Sequence, residues 1–229
     1  MDANEILSRY AAGERDFRDA DLPGADLSGA NLSEADLREA NLSGANLSSA
    51  DLIGASFTDA NLRDADLSDA NLIGAKLGVA ILSNVNLVGA NLSGAELSGA
   101  NMHEATLGAA NLIGAILIRA NLSETNLNGA NLSISNLIGA NLSGANLIGA
   151  NLSGANLIEA NLSGANLNGA RLYRANLAHA KLNGANLSNA DFSDANLAKT
   201  DLTDANLENA NLEGTIRSLV TNSEPTAVS

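Results

Sequence analysis

The sequence predicts an all-β solenoid, a short coil stacked on itself along one axis, and three observations carry that prediction. From Arg15 to Gly214 a five-residue unit, A-N-L-S-G or A-D-L-x-x, recurs 40 times without insertion or deletion. The centre of the unit is Leu at 36 of those positions, with Phe17, Phe57, Met102 and Phe192 at the other four, and the residue two places earlier is Ala at 35 of 40. Glycine collects two residues after the centre, where 18 of the 21 glycines stand. Self-similarity at a fixed short period is the sequence signature of a repeat architecture.

The period excludes both simple elements. A step of five residues rotates a helical side chain by roughly 140°, which would spread the leucines around every face of a helix. In a continuous strand an odd step sends successive leucines to opposite faces. The leucines share one interior only if the chain turns once per unit. Each unit is therefore a short extended stretch plus a corner, and glycine after the centre supplies the corner, because it adopts a positive φ at little steric cost. Where Gly is absent the corner is often Asp, Glu or Asn; Asn and Asp tolerate the left-handed region and Glu does not, so not every corner need be the same turn type. The residue before the centre is Asn at 24 positions and Asp at 8. It alternates with inward Leu and Ala and so faces outward, in position to stack as amide ladders between coils.

The elements follow in order. Residues 1–14 read as an N-terminal capping helix over 3–12: Asp2 is the N-cap with Glu5 three residues on, Ile6, Leu7, Tyr10 and Ala11 share one face, and Gly13 ends the element. Residues 15–214 are one uninterrupted β-solenoid. The pattern ends at Thr215, and residues 215–229 form a C-terminal cap and tail, with Ile216, Leu219 and Val220 placed to close the last coil and 221–229 expected to be mobile.

These residues resemble the pentapeptide-repeat family, whose motif is A-(D/N)-L-x-x, and the match covers 15–214. The resemblance implies a right-handed quadrilateral β-helix of four units per coil, hence about ten coils and a rod roughly 48 Å long at a coil spacing of about 4.8 Å. The opening EILSRYAAGERDF is similar to cytosolic members from cyanobacteria, one of which regulates heterocyst differentiation through protein contact. Other members are acidic rods that bind DNA gyrase as mimics of duplex DNA.

Composition narrows the function. The net charge of −14 is uneven: residues 1–69 carry −10, residues 70–190 carry +1 and residues 191–229 carry −5. No basic footprint exists for phosphates, so direct nucleic-acid binding is not expected. The acidic ends favour solubility. They also fit gyrase mimicry, which the nearly neutral middle and the loop-free repeat disfavour. The chain has no Cys, which removes thiolate chemistry and fits a reducing, cytoplasmic setting. Its first residues lack the basic and apolar regions of a signal peptide, and no run approaches the roughly 20 apolar residues of a membrane span.

No catalytic or metal-binding constellation emerges. His103 and His179 fall in outward slots on different sides, some four coils apart. The serines fill the slot after the centre with no base beside them. Asp64, Asp66 and Asp69 read as a solvated acidic face. No cofactor is expected. The informative residues are departures from the repeat. Ile118, Ile138 and Ile158 recur at 20-residue intervals and align on one side if each coil holds four units. Ile116 lies on the same side, and Ile113 and Ile134 belong to the preceding one. An exposed apolar stripe of this kind marks an interaction surface, for a protein partner or a homodimer; Ile also simply favours extended backbone. Arg171, Tyr173, Arg174, His179 and Lys181 form a second candidate patch, equally explained as charge balance against Asp191 and Asp194. The expected function is a non-enzymatic interaction, scaffold or regulatory role, with gyrase mimicry as the alternative. Binding of ice or another surface lacks the expected threonine arrays.

Overall fold

In the computed structural model, which describes residues 1–217, each outward residue before a centre pairs in parallel with the residue 20 positions on, from Asp16 with Asp36 to Asn196 with Ile216. A coil is therefore four units. We number the four sides of the rod by their first centres, Phe17, Leu22, Leu27 and Leu32, and the coils from 15–34 to 195–214. The centres and the alanines form one continuous buried column, with Leu and Ala almost completely removed from solvent from coil two to coil nine. Apolar burial on this scale is the main favourable term. It needs a backbone with few unpaired polar groups.

The repeat supplies such a backbone. The centre donates its N–H to the next coil, as Leu32 does to Asp51 O at 2.8 Å, and the corner residue does the same, as Gly24 does to Ser43 O at 2.8 Å. The residue before the centre donates to the previous coil, as Asn41 does to Ala20 O at 2.9 Å. The Ala N–H closes the turn onto the preceding centre, as Ala25 does to Leu22 O at 3.1 Å. One N–H per unit remains, that of the residue after the centre, and the Asn or Asp side chain takes it: Ser143 N–H donates to Asn141 Oδ1 at 3.2 Å. The same Asn donates its Nδ2 to Asn121 Oδ1 in the coil before, also at 3.2 Å. Asn101, Asn121, Asn141 and Asn161 make an unbroken ladder on side two. Asn is preferred because it both accepts the local N–H and donates along the rod, whereas Asp accepts only. Asp21 and Asp26, in the first coil, accept from Asn41 and Asn46.

The corners are uniform, although residue type alone leaves more than one turn type open. Every corner residue described has φ near +60°, including Glu34, Glu39, Glu104, Glu124 and Glu159 at 57–61° and even Val79 at 51° and Ile134 at 53°. A positive φ at the third residue of a hydrogen-bonded turn is what a type II turn requires. The bond from the corner N–H to the next coil fixes the geometry whatever the side chain; Glu34 N–H donates to Ile53 O at 2.8 Å. Intrinsic preference is overridden at a cost of roughly 1–2 kcal/mol per non-glycine corner.

The two ends differ. Helix α1 spans Ala3–Ala11, with Asp2 Oδ1 accepting from Glu5 N–H at 2.9 Å. Glu5 turns instead to Arg9, so the reciprocal half of a capping box is not formed. Gly13, at φ 97°, donates to Tyr10 O, and Glu14 N–H to Arg9 O, the bonding pattern of a Schellman stop. Ile6 is fully buried in the core column, and Tyr10 Oη donates to Ser33 O at 2.9 Å. Leu22 and Leu27 in the first coil are thereby buried, whereas Leu202, Leu207 and Leu212 in the tenth are only partly so. Ile216 extends the bridge ladder in an outward slot and is 60% exposed. Leu219, Val220 and the expected tail 221–229 lie outside the described residues.

Two outcomes follow from this packing. Leu137 is completely buried, so Leu137→Asp should destabilise the fold by on the order of 4 kcal/mol or more; a thermal midpoint equal to the parent's would contradict the inward column. Asn141→Ala leaves the Ser143 N–H and the Asn161 amide without acceptors and should lower stability by about 1–2 kcal/mol. Asn141→Asp, which keeps the acceptor, should lose less; calorimetry on the pair checks the ranking.

Candidate interaction surface

Side one collects the isoleucines singled out above. Its residues after the centre run Arg18, Arg38, Thr58, Gly78, Ser98, Ile118, Ile138, Ile158, Ala178 and Ala198 along the rod. The backbone ties this column together between coils, with Arg119 N–H donating to Ile138 O and Gly139 N–H to Ile158 O, both at 2.9 Å. Ile118, Ile138 and Ile158 stack in register and are half-buried. The stripe is therefore less exposed than the sequence implies. Ile116, on the same side, Ile113, in the slot after the centre on side four, and Ile134, at the corner that leads into side one, are exposed. Ile134, at 66%, is the most exposed large apolar side chain among the described residues, and it also occupies one of the strained corners. A β-branched residue at positive φ is an outlier even among non-glycine residues.

The second candidate patch divides. Arg171, Tyr173 and Arg174 share side four, where the Arg174 guanidinium lies 4.9 Å from the Tyr173 ring centre and 3.7 Å from Asp194 Oδ2. Lys181 stands on side two, bridged in register with Asp201, and His179 on the corner of side one. Arg171 is in register with Asp191. The Asp191 carboxyl is held below its usual range by the Ser193 hydroxyl and N–H, with a smaller contribution from Arg171. These cations thus sit beside acids of adjacent coils.

Sequence reasoning missed a related column. Ile53, Ile73, Ile113 and Tyr173 all occupy the slot after the centre on side four and are all exposed. The 20-residue spacing of Ile53 and Ile73 was the available signal. Val79, Ile81 and Val88 are further exposed apolar positions.

The N-terminal part of side one is charged but internally paired. Arg18 donates to both Asp16 oxygens at 2.8 and 2.7 Å, and Arg38 to both Asp36 oxygens at 2.8 and 2.6 Å. These bonds hold the Asp16 carboxyl at about 2 and depress that of Asp36. Beside them Asp36, Arg38, Ser56 and Lys76 help line an open depression of about 420 Å³. His103 Nδ1 lies 2.9 Å from Ser123 Oγ in the next coil. Asp64 and Asp66 accept amide donors from Asn84 and Asn86. Among the described residues no group of His, Cys, Asp or Glu is arranged to hold a metal, and no helix is long and apolar enough to cross a membrane.

A carboxyl whose pKa is depressed in the folded state adds stability that is present above its unfolded value of about 3.9. For Asp16 that contribution is lost as pH falls through about 2. Arg18→Ala should return the Asp16 midpoint, followed by its side-chain carboxyl NMR shift, toward about 3.9. An unchanged midpoint would remove Arg18 as the cause.

Comparison with known proteins is consistent with this geometry. The family model described as pentapeptide repeats matches in eight copies, over residues 16–48, 40–78, 70–108, 80–117, 105–133, 135–174 and 170–209. Among solved structures, the chain is similar to HetL, a pentapeptide repeat protein involved in heterocyst differentiation regulation from the cyanobacterium Nostoc sp. strain PCC 7120. The identity is 38%, over 95% of this chain and 97% of that one, with a TM-score of 0.63. A second pentapeptide repeat protein of Nostoc PCC 7120, alr5209, is 37% identical over 46% of this chain and 80% of its own, with a TM-score of 0.28. QnrB1, a plasmid-mediated fluoroquinolone resistance protein, is 19% identical over 90% of this chain and 84% of its own, with a TM-score of 0.35. No curated protein sequence matches the chain. The likeness to HetL implies a right-handed quadrilateral β-helix. With its repeats matched along almost the whole solenoid, the chain belongs to the pentapeptide repeat family.

Proposed function

We propose that this protein is a non-enzymatic interaction protein: a right-handed four-sided rod, capped at its N-terminal end by α1, that scaffolds or regulates by contact through side one. The observation that carries this reading is the apolar cluster in the middle coils. Ile118, Ile138 and Ile158 stack in one column with exposed Ile113, Ile116 and Ile134 around them, in middle coils whose other outward slots are mostly Asn and Ser. Contiguous apolar area on a soluble surface marks contact sites. The likeness to HetL, a protein involved in heterocyst differentiation regulation, supports a regulatory role. The serines have structural employment: Ser123 Oγ and Ser163 Oγ donate to the Asn ladder at 2.8 and 2.6 Å.

Gyrase mimicry is favoured by the acidic ends alone. On side one two of those acids, Asp16 and Asp36, are already neutralised by Arg18 and Arg38, which blurs any phosphate-like row. The test uses the variant Ile118→Ser, Ile138→Ser, Ile158→Ser. Its thermal midpoint should stay within a few degrees of the parent's, since the side chains point outward. As bait in lysate of the source cell it should lose the proteins the parent retains. Equal retention would make the column a matter of β propensity only. Inhibition of gyrase supercoiling at stoichiometric protein would put mimicry first.

A further inference from the structure

We infer that side one docks against a second copy of this chain, antiparallel, with the dyad running along the backbone of residues 134–139. This rests on the reading of side one as a contact surface and names what meets it. When two copies pack face to face about a dyad lying across the rod, each column of one copy meets the same column of the other in reverse order. Centring the dyad on Ile138 places Ile138 against Ile138, Ile118 against Ile158 and Ile158 against Ile118. Ile134, at the corner beside that segment, then meets its own counterpart. The most exposed apolar side chain among the described residues, held at a strained φ of 53°, thus lies at the dyad.

Charge agrees with this register. The opposite corner of side one carries Arg119, Gly139 and Glu159 in successive coils. The dyad passes Gly139, over which the Arg119 stem of the same copy leans, and the backbone position of Arg119 in each copy lies opposite that of Glu159 in the other, so the ion pair forms with the long Arg119 side chain turned back across its own coil. Lys76 and Glu96 meet Asn196 and Asn176. The overlap spans coils four to ten. Coils one to three remain outside it, and with them Asp16, Asp19, Asp36, Glu39 and Asp59. The full-overlap register, coil one on coil ten, is worse on both counts: it sets the three isoleucines against Ser98, Gly78 and Thr58, and Asp59 against Glu159. Seven coils of about 4.8 Å by a side of at most about 17 Å bury on the order of 1,000 Å² in total. That is the lower bound for a specific interface, so the dimer should be weak and concentration-dependent.

The full chain is examined by sedimentation equilibrium between about 1 µM and about 1 mM, a range that covers weak association. The expected result is a rise from the 23.2 kDa chain mass to twice that value. Glu159→Lys and Arg119→Glu should each weaken the dimer about tenfold, and the double variant should restore it to within about threefold, as expected for a partly exposed ion pair made twice. In a chain without cysteine, Ile138→Cys should form a disulfide-linked dimer under mild oxidation, whereas Ser98→Cys should not. Thermal midpoints of all variants confirm folding. A monomer at every concentration overturns the inference, while the lysate test above decides separately whether side one takes another protein. A dimer strengthened by Glu159→Lys overturns the register in favour of full overlap, and a dimer indifferent to all four substitutions places the contact on another side.

Discussion

Everything in this rod depends on pairing five backbone N–H groups per unit. Four are satisfied by the backbone itself, three between coils and one in the turn. The fifth is satisfied by the Asn or Asp that precedes each centre, as in Asn121 with Ser123 N–H at 3.2 Å and Asn161 with Ser163 N–H at 3.1 Å. This is why the polar slot tolerates so little variation although it faces outward. An outward Lys or Ile there, as at Lys76 or Ile116, gives up the side-chain acceptor. On side one Ser56, Lys76, Glu96 and Ile116 follow one another in consecutive coils, and there the coils are joined by the backbone bridges without an amide ladder. With the N–H groups paired, a chain in which each side contributes one bridged residue per coil can bury Leu and Ala along its whole length, which isolated bridges elsewhere rarely allow.

The same network explains the corners. A turn that donates to the next coil at a fixed place has no freedom to change type, so Glu, Val and Ile are drawn into the left-handed region that glycine occupies easily. Their side chains then lean along the rod over the corner of the following coil. A Cβ on Gly144 would collide with Glu124 Oε1, and one on Gly154 would lie 3.3 Å from Ile134 Cγ2. At Gly144 and Gly154 glycine both eases the positive φ and leaves the space its neighbour fills. Elsewhere non-glycine corners follow one another in consecutive coils, as Asp19, Glu39, Asp59 and Val79 do.

Much of the fold was legible because period five admits few solutions. The corners, the inward Leu and Ala and the outward Asn came from spacing alone, and the helix from its N-cap, its apolar face and Gly13. The uniformity of the corners was not legible: residue preference speaks for one turn at a time, while the constraint at Glu34 or Ile134 comes from a residue 19 positions on. The Asx bond to the residue after the centre was also missed, since sequence shows that Asn recurs but not which donor it accepts. At the candidate site, the register of Ile118, Ile138 and Ile158 was readable as soon as a coil was taken as 20 residues, yet their half-burial by mutual stacking was not. The separation of Lys181 from Arg171 was readable in the same way, two units being two sides apart.

A strict repeat also separates structure from function more cleanly than an irregular domain does. The interior and the outward Asn are committed to the backbone, so the residues free to vary are those after the centre and at the corner. Each of these recurs in four columns along the rod, and neighbours in a column lie about 4.8 Å apart. A surface of this kind is read by column and coil. Identical substitutions in consecutive coils make a ridge, and a ridge has a direction that a dyad can reverse. Side one carries such a ridge off-centre, between an acidic, internally paired N-terminal stretch and an Ala-lined C-terminal one. Where the ridge lies, more than its apolar character alone, limits which registers of a second rod bring apolar against apolar and Arg119 against Glu159.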